Sequence, residues 1–351
     1  MEIVTIQNKT VGEEQKPYVI AEIGSNHNGD MALCKQIIDA AVTAGADAVK
    51  FQSWTPSSLV CKAEYDRNTS YSDTKKHFGS LEAMIKRYAF TEQQHVEIEA
   101  YCQEKSVTFL SSAFSPKEVD LLERLNVPAH KLASMDVNNF YLLEAIAETR
   151  KPIIVSTGMA SLSEIEKTVE FLEKKKSGPI ILLHCISIYP PRPETINLRN
   201  IEMLKKSFGK LVGFSDHSMG VSIPLAAIAL GACMIEKHFT IDQDMEGWDH
   251  AISANPEELA VIVREGANVK KALGSYRRMV SEEEYEKRNK FRRSIVLSKS
   301  LHEGDRITLE DLDYKRPGNG ISPDEVNYVV GRRVNKSVDV DHELAWEDLV
   351  S

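Results

Sequence analysis

The stretch LVGFSDHSMGVSIPLAAIALGACMIEKHFT, residues 211–240, decides the fold. It contains two short apolar runs, 211–217 and 234–240, and each carries a histidine near its carboxyl end. A segment of helical character separates the two runs. A strand, a helix and a second strand within about thirty residues are typical of a βαβ unit, which joins two parallel strands of one sheet.

The same alternation extends over most of the chain, from Tyr18 to Gly274. Six further strand candidates precede the two above: residues 18–24, 47–53, 107–113, 129–134, 152–157 and 179–185. Helical segments follow them, and one begins at Ser161 with Glu164 three residues on, the spacing of a capping box. Eight such units in about 260 residues predict a TIM (β/α)8 barrel. A dinucleotide-binding sheet is disfavoured because no GxGxxG motif follows the first strand.

Composition excludes several functional classes. The net charge of -9 argues against nucleic acid and anionic membranes as partners, because the field of the protein would repel them. The five cysteines are scattered and form no CxxC pair, which favours reduced thiols and disfavours a structural zinc site. The first residues lack the charge and apolar run of a signal peptide, and no apolar run approaches a membrane span. We therefore expect a cytoplasmic protein.

The charge pattern changes after the barrel. We expect a catalytic barrel domain over residues 1–278, a charged linker over 279–293 and a small β-rich domain over 294–351. About 60 residues are marginal for an isolated domain, so the tail is expected to pack against the barrel or a partner chain. We find no repeat beyond the βα period.

Two histidines end the last two predicted strands. His217 and His238 would lie on neighbouring strands about 4.8 Å apart, close enough to share one divalent cation. Asp216, Glu236 and Asp249 lie near them in the sequence and strengthen this interpretation. Two nitrogen ligands with open positions suit a Lewis acid, so Mn²⁺ or Mg²⁺ is expected, with zinc as an alternative. Singly, each histidine could instead be a hydrogen-bonded structural residue.

Lysines and small hydroxyl residues end other strands. A buried lysine is unfavourable without an anionic partner, and a serine fills space in a core less well than an apolar residue. Together these residues supply cationic and hydroxyl donors, so the set predicts a site for a small phosphorylated or carboxylated substrate. Ordinary polarity of a barrel mouth is the alternative. The set comprises Lys50, Ser112, Lys131, Ser134, Ser156 and Ser215.

Glu22 ends the first barrel strand. Its carboxylate could act as a general acid or base, or it could simply pair with Lys50 or Lys131. Asn26 and His27 follow on the next loop and could line the pocket or form a turn.

Eight motifs in order along the chain resemble one family, the sialic acid synthases and their relatives. The resemblance covers nearly the whole chain, and the tail is similar to the family's antifreeze-like (SAF) domain. The motifs are AEIGSNHNG (21–29), VKFQ (49–52), STGM (156–159), HCISIYP (184–190), GFSDHSMG (213–220), IEKHFT (235–240), DHAIS (249–253) and YKRPGNGISP (314–323).

This resemblance implies a transferase of carbohydrate and polysaccharide biosynthesis. It would condense phosphoenolpyruvate with the aldehyde of an N-acetylmannosamine-type or diacetamido-hexose sugar, releasing phosphate by C–O cleavage. His217 and His238 would hold the metal, and Glu22 would handle the proton of the attacking water. The lysine and serine set would bind phosphoenolpyruvate, whereas the sugar would contact Gln52, Tyr189 and Asp249.

The resemblance also implies a domain-swapped homodimer in which Arg316 of one tail reaches an acyl group in the other subunit's site. The sequence departs from the family pattern on the sugar side of the pocket, at Met135, Ile186, Ser187 and Trp248. An unusual acceptor is therefore a further hypothesis. Two alternatives are a 3-deoxy-ulosonate phosphate synthase that uses a phosphorylated aldose, and a non-catalytic carbohydrate-binding barrel.

Overall fold

The computed structural model describes residues 2–70, 72–73, 76–77 and 79–351. The chain divides into two compact units, Met1–Gly274 and Ser275–Ser351. The larger unit contains all eight of the strands expected from the sequence, and the smaller begins just before the charged segment expected as a linker.

The larger unit is built on a closed parallel barrel, which confirms the predicted fold class. Neighbouring strands in sequence are neighbours in space, and the last strand pairs with the first, placing His238 beside Glu22. The barrel strands are β3 (Tyr18–Glu22), β4 (Ala48–Ser53), β7 (Thr108–Ala113), β8 (His130–Leu132), β9 (Ile153–Ser156), β10 (Ile180–Cys185), β11 (Leu211–Asp216) and β12 (Met234–His238); β1 (Ile3–Ile6) and β2 (Lys9–Gly12) precede them, and the short β5 (Ser72–Asp73) and β6 (Lys76–His77) follow β4.

Helices connect these strands. The helix after β9 begins with the predicted capping box, since Ser161 accepts a hydrogen bond from the amide of Glu164. The helices of this unit are α1 (Met31–Thr43), α2 (Pro56–Leu59), α3 (Lys62–Arg67), α4 (Leu81–Tyr88), α5 (Glu92–Glu104), α6 (Pro116–Arg124), α7 (Phe140–Glu148), α8 (Leu162–Lys174), α9 (Pro193–Ile196), α10 (Asn200–Phe208), α11 (Ser222–Ala229) and α12 (Pro256–Leu273).

A hairpin of β1 and β2 closes the amino end of the barrel. Its Val4, Ile6 and Val11 are buried in one cluster with strand residues such as Tyr18 and Ile20. The outward faces of the strands pack against the helices in a second, larger cluster. With its amino end filled by side chains, the barrel offers its carboxyl end for a site.

The smaller unit begins with a helix, α13 (Glu282–Phe291), none of whose residues is buried. A separate apolar core follows, formed by residues such as Ile295, Ile307 and Leu344. Its other elements are β13 (Ser294–Leu297), β14 (Leu312–Lys315), α14 (Val326–Val329), β15 (Arg333–Val334) and β16 (Leu349–Val350).

This smaller unit contains an internal repeat that the sequence analysis missed. SKSLHEGDRITLEDL (298–312) aligns without gaps on NKSVDVDHELAWEDL (335–349). Equivalent ion pairs occupy both copies, at 2.6 Å between Lys299 and Asp311 and 2.6 Å between Lys336 and Asp348. Only a few positions are identical between the two copies, so the repeat is easier to recognise from the equivalent ion pairs than from the sequence.

Two features agree with the compositional analysis. All five cysteines are free thiols, and four of them are buried. Across the described part of the chain, we find no helix with the length and apolar character needed to span a bilayer.

Candidate active site

The predicted site residues of the barrel gather at one end. Strand ends supply most of them, and loops just beyond supply Ser134, Tyr189 and Asp249. This clustering follows from topology, because parallel strands of a barrel all end at the same face.

The two histidines lie side by side. Asp216 pairs in register with Lys237, which brings the next residue of each strand, His217 and His238, to the same level. Their ring centroids are 5.4 Å apart. The Nδ1 atom of His217 lies 2.8 Å from the carbonyl oxygen of Ile186. Because a carbonyl only accepts, Nδ1 carries a proton, and Nε2 is the nitrogen whose lone pair a cation would take from the neutral ring.

These imidazoles fit a divalent cation. Burial, followed by the charges of His217 and of two nearby lysines, holds the pKa of His238 well below its usual range. A neutral ring can donate its lone pair to a metal. Among the described residues, no three or more His, Cys, Asp or Glu side chains are grouped for a metal. A cation here would therefore take two protein nitrogens and fill its other positions with water or substrate oxygens.

Two buried lysines and two buried glutamates form a network beside the histidines. Lys50 Nζ lies 2.7 Å from Glu22 Oε2 and 3.9 Å from Glu236 Oε2. Lys131 Nζ lies 3.8 Å from Glu236 Oε1. Each of the four side chains is at most 8% exposed, so these charges are little screened by solvent.

Burial and neighbouring charges shift the pKa values within this network in different directions. Burial, the dominant effect, raises the pKa of Glu22 against the opposing effect of Lys50. Burial also lowers the pKa of Lys131, which Glu236 only partly offsets. For Glu236, burial is outweighed by the two lysines, which lower the pKa of its carboxyl group. The pKa values of the two carboxyl groups are therefore shifted in opposite directions, that of Glu236 downwards and that of Glu22 upwards.

The serines of the predicted set surround the lysines. Lys50 Nζ donates to Ser112 Oγ at 3.2 Å, and Lys131 Nζ donates to Ser156 Oγ at 2.8 Å. Ser215 Oγ donates to Glu236 Oε1 at 3.0 Å. The hydroxyl groups thus connect strand ends around the two ammonium groups.

Gly158 keeps space open at this site. The Gly158 amide donates to Ser134 Oγ at 3.0 Å. A Cβ atom at position 158 would lie 2.8 Å from that oxygen and would also overlap the Ser187 hydroxyl. Any side chain at position 158 would therefore displace these hydroxyls, because only a bare backbone can approach them so closely.

Asp216 forms an ion pair with Lys237 behind the two histidines. Asp216 Oδ2 lies 2.7 Å from Lys237 Nζ, and the two side chains are 0% and 1% exposed. Lys237 Nζ also donates to the Ser218 carbonyl at 2.5 Å. Side chains alternate along a strand, so Asp216 and Lys237 face away from the side that carries the two histidines. Their pair ties the two histidine-bearing strand ends together.

The sequence analysis named Glu236 only as a neighbour of the histidines and missed its central position. The signal was present, because Glu236 precedes His238 by two residues and the period of a strand places both on one face.

Tyr189 and Asp249 border the histidines. The Tyr189 and His217 rings are 4.0 Å apart. Asp249 Oδ2 lies 3.8 Å from His238 Nδ1. Gln52 Nε2 donates to Glu22 Oε1 at 2.8 Å, so it orients that carboxyl group. Gln52, Tyr189, His238 and Asp249 border a 710 Å³ cavity, and the wall of this cavity also includes Met135 and Trp248.

Asn26 and His27 have structural roles. Asn26 Nδ2 donates to the Phe239 carbonyl at 2.9 Å and to Ser253 Oγ at 2.8 Å, which joins two loops. The His27 ring stacks on Phe90 at 4.0 Å, and burial lowers the pKa of His27 to about 3. Neither residue lines the cavity, and the turn interpretation describes them best.

Arg316 belongs to the smaller unit. Its guanidinium group lies 5.1 Å from the centre of the Phe291 ring, and its side chain is exposed. Its predicted contact with a sugar stays a prediction.

Comparisons with known proteins agree with this architecture. The family model described as "NeuB family" matches residues 37–278, and the SAF domain model matches residues 292–350. The N,N'-diacetyllegionaminic acid synthase of Legionella pneumophila is 35% identical over 349 residues, which covers 97% of each chain. The enzyme of the same name from Campylobacter jejuni is 38% identical over 329 residues, which covers 92% of this chain and 97% of that one.

A solved structure supports the same assignment. The crystal structure of N-acetylneuraminic acid (sialic acid) synthetase from Leptospira borgpetersenii, in complex with citrate, is 37% identical with a TM-score of 0.71. The match covers 82% of this chain and 95% of that chain. Family model, full-length relatives and fold agree, and the chain therefore belongs to the NeuB family, with an SAF domain after its barrel.

Proposed function

We propose that this chain is a sugar acid synthase, a transferase that condenses phosphoenolpyruvate with an N-acetylmannosamine-type or diacetamido-hexose aldehyde and releases phosphate. The observation that carries this proposal is the position of two adjacent imidazoles, one held neutral by burial, beside two buried lysines. The two imidazoles suit a cation that binds an aldehyde, and the two lysines suit an anion that carries several negative charges. Relatives named as synthases of legionaminic acid support the same chemistry.

The lysine and serine groups would hold phosphoenolpyruvate. Lys50 and Lys131 place two ammonium groups in a buried site, where they balance the negative charge of the phosphate and carboxylate. Without that compensation, moving the anion out of water would be strongly unfavourable. The hydroxyls of Ser112 and Ser156 already contact the lysines and would add neutral donors.

The reaction would proceed by carbon–carbon bond formation followed by loss of phosphate. Carbon 3 of phosphoenolpyruvate attacks the aldehyde carbon, whose oxygen becomes a hydroxyl. Water adds at carbon 2 and gives up one proton, which balances the proton that the aldehyde oxygen takes up. The bond between carbon 2 and the phosphate oxygen then breaks, the second proton of the water leaves with the phosphate, and a ketone remains. Glu22 would accept the proton of that water, because burial raises its pKa and Gln52 orients its carboxyl group.

His217 and His238 would hold Mn²⁺ or Mg²⁺, with zinc as the alternative. When bound, such a cation supplies Lewis-acid polarisation of the aldehyde carbonyl. The Ile186 carbonyl fixes the tautomer of His217, and Asp249 lies near His238 Nδ1, so the protein itself orients both rings.

We further propose that the enzyme works in the cytoplasm as a domain-swapped homodimer. The free thiols suit a reducing compartment. The exposed Arg316 is available to reach an acyl carbonyl in the site of a second copy. A swapped tail would also help to exclude water from the reacting groups.

Product analysis tests the chemistry. Purified protein with Mn²⁺, phosphoenolpyruvate and a panel of acylated hexosamines should release phosphate only when a sugar is present. Mass spectrometry should show one new sugar acid per phosphate. Phosphate release without a sugar, or sugar binding without phosphate release, would contradict the proposal.

Complementation tests the swapped tail. Lys131→Met removes a barrel residue and Arg316→Ala removes a tail residue, so each homodimer should have little activity when substrate concentrations are kept below the wild-type KM. After random reassociation, about a quarter of the sites in a swapped dimer would combine an intact barrel with an intact tail. Activity that stays at the level of the separate variants would contradict the swap.

A further inference from the structure

The turn that carries Arg316 is fastened to other parts of the smaller unit. This turn, residues 316–320 (RPGNG), follows β14 and precedes the buried Ile321. The Gly318 amide donates to the carbonyl of Asn289 at 2.8 Å, in the last turn of α13. The shape of the turn is therefore set in part by residues distant in the sequence.

The carboxylate of Glu343 holds the other end of this turn. Glu343 Oε1 accepts from the amide of Gly320 at 2.6 Å and from the amide of Asn319 at 3.0 Å. Ser294 Oγ lies 2.6 Å from the same oxygen and accepts from the Gly320 amide at 2.9 Å. Hydrogen bonds to an ionised acceptor are roughly twice as strong as those between neutral groups, so loss of this carboxylate would release this end of the turn.

The turn also lies in direct contact with residues 343 and 344. A Cβ atom at position 320 would lie 2.7 Å from Glu343 Cγ and 2.6 Å from the Leu344 carbonyl oxygen. Only glycine allows so close an approach. A change at Glu343 would therefore act on the backbone of the turn itself.

Arg316 is available to a ligand, whereas its neighbour is not. Among the described residues, no carboxylate lies within ion-pairing distance of the exposed Arg316 guanidinium group. The preceding Lys315 pairs with Asp341 and lies 3.5 Å from Asp313. The guanidinium donors of Arg316 can therefore serve a carbonyl oxygen of a substrate.

The internal repeat separates this contact from those that stabilise the fold. The lysine–aspartate pairs recur in both copies, so they serve the shared structure. Position 343, however, is equivalent to Arg306 in the alignment of the two copies, and Arg306 Nε donates to the Gly331 carbonyl at 2.9 Å. The repeated fold therefore does not itself require a carboxylate at this position.

We propose that Glu343 is a positioning residue of the reaction, which holds the turn 316–320 in the shape that presents Arg316 to the acyl group of the sugar. This inference rests on the proposed function, in which Arg316 enters the site of a second copy. It confines the effect of Glu343 to the sugar, because the groups proposed to bind phosphoenolpyruvate all belong to the barrel.

Steady-state kinetics of the full-length protein tests the inference. A binding group misplaced by about 1 Å can cost about 100-fold, so Glu343→Ala should lower kcat/KM for an N-acylated hexosamine by about 10-fold or more, with KM for phosphoenolpyruvate within about 2-fold of wild type. Asp311→Ala is the matched control in the same unit, because Asp311 accepts from the Thr308 amide at 2.7 Å and pairs with Lys299. The control should retain kcat/KM for the sugar.

A double-mutant cycle with Arg316→Ala distinguishes positioning from a loss of folded protein. Glu343→Ala should cause no further loss in the Arg316→Ala background, because both changes remove the same contact. A purely structural role would lower the residual activity by the same factor in both backgrounds. Glu343→Gln keeps an acceptor oxygen for both amides, so the same cycle with this variant decides the matter where Glu343→Ala does not fold.

The outcomes separate this inference from the proposed function. Losses that multiply in the cycle, or a Glu343→Ala enzyme with the same kcat/KM as the Asp311→Ala control, would overturn the role of Glu343 and leave the synthase proposal standing. A wild-type protein that releases no phosphate with any acylated hexosamine would overturn both.

Discussion

The buried pair of Lys237 and Asp216 gives the sharpest prediction about stability. Lys237 Nζ lies 2.7 Å from Asp216 Oδ2, and neither side chain is more than 1% exposed. The substitution Lys237→Met keeps a similar volume but leaves the Asp216 carboxylate buried without its cation. Breaking such a pair costs about 3–5 kcal/mol of the free energy of unfolding. For a unit of this size, that corresponds to about 6–20 °C in the Tm.

Calorimetry of the full chain measures this loss in the unfolding transition of the barrel. A chelator should be present throughout, because metal binding would add its own stabilisation. Lys35→Met is a matched control, since Lys35 pairs with Glu97 at 2.7 Å with side chains 35% and 44% exposed. The control should cost about 1 kcal/mol or less.

The double variant Lys237→Met with Asp216→Leu sharpens the test. Replacing both charges removes the unpaired carboxylate, so a large part of the lost stability should return. A Lys237→Met variant that unfolds within a degree or two of Lys35→Met would refute the idea that this pair fastens the two strand ends.

Three further predictions concern the anion site and the smaller unit. Lys131→Met should raise KM for phosphoenolpyruvate about 10- to 150-fold, because it removes one charged hydrogen bond worth about 1.5–3 kcal/mol. An unchanged KM would show that Lys131 does not bind this substrate. Gly158→Ala should also weaken phosphoenolpyruvate binding, because the new Cβ would lie 2.8 Å from the Ser134 hydroxyl and displace it, and calorimetric titration measures the change. Although burial opposes ionisation, Lys336 and other donors lower the pKa of Asp348 to about 2. The stability that this carboxylate contributes is present above its unfolded pKa of about 3.9 and is lost as pH falls towards 2. Asp348→Asn should therefore flatten the pH dependence of the free energy of unfolding of the smaller unit between about pH 2 and 4.

The barrel could be predicted from the sequence because its signal is local. Each strand is a short buried run between helical segments, so the eight strands were recognisable one at a time. The hairpin at Ile3–Gly12 was missed, since its two strands of four residues gain their burial only from the floor of the barrel.

The composition of the site was predictable, but its pairings were not. The sequence left open whether Glu22 pairs with Lys50 or Lys131. The structure selects Lys50, because β3 and β4 are neighbours and Glu22 is in register with Lys50. Lys131 lies on β8 and contacts Ser156 on the adjacent strand. Strand register and the direction of each side chain are tertiary properties, and for the same reason the sequence did not reveal that Asp216 pairs with Lys237.

The central claim is that two imidazoles hold the cation that the reaction requires. The most direct measurement titrates metal-free protein with Mn²⁺, following bound metal by electron paramagnetic resonance and phosphate release in the same samples. We predict that one Mn²⁺ binds per chain, that activity rises in proportion to it, and that His217→Ala and His238→Ala each lose both. Full activity in the presence of a chelator, or unchanged Mn²⁺ binding in both histidine variants, would contradict the account.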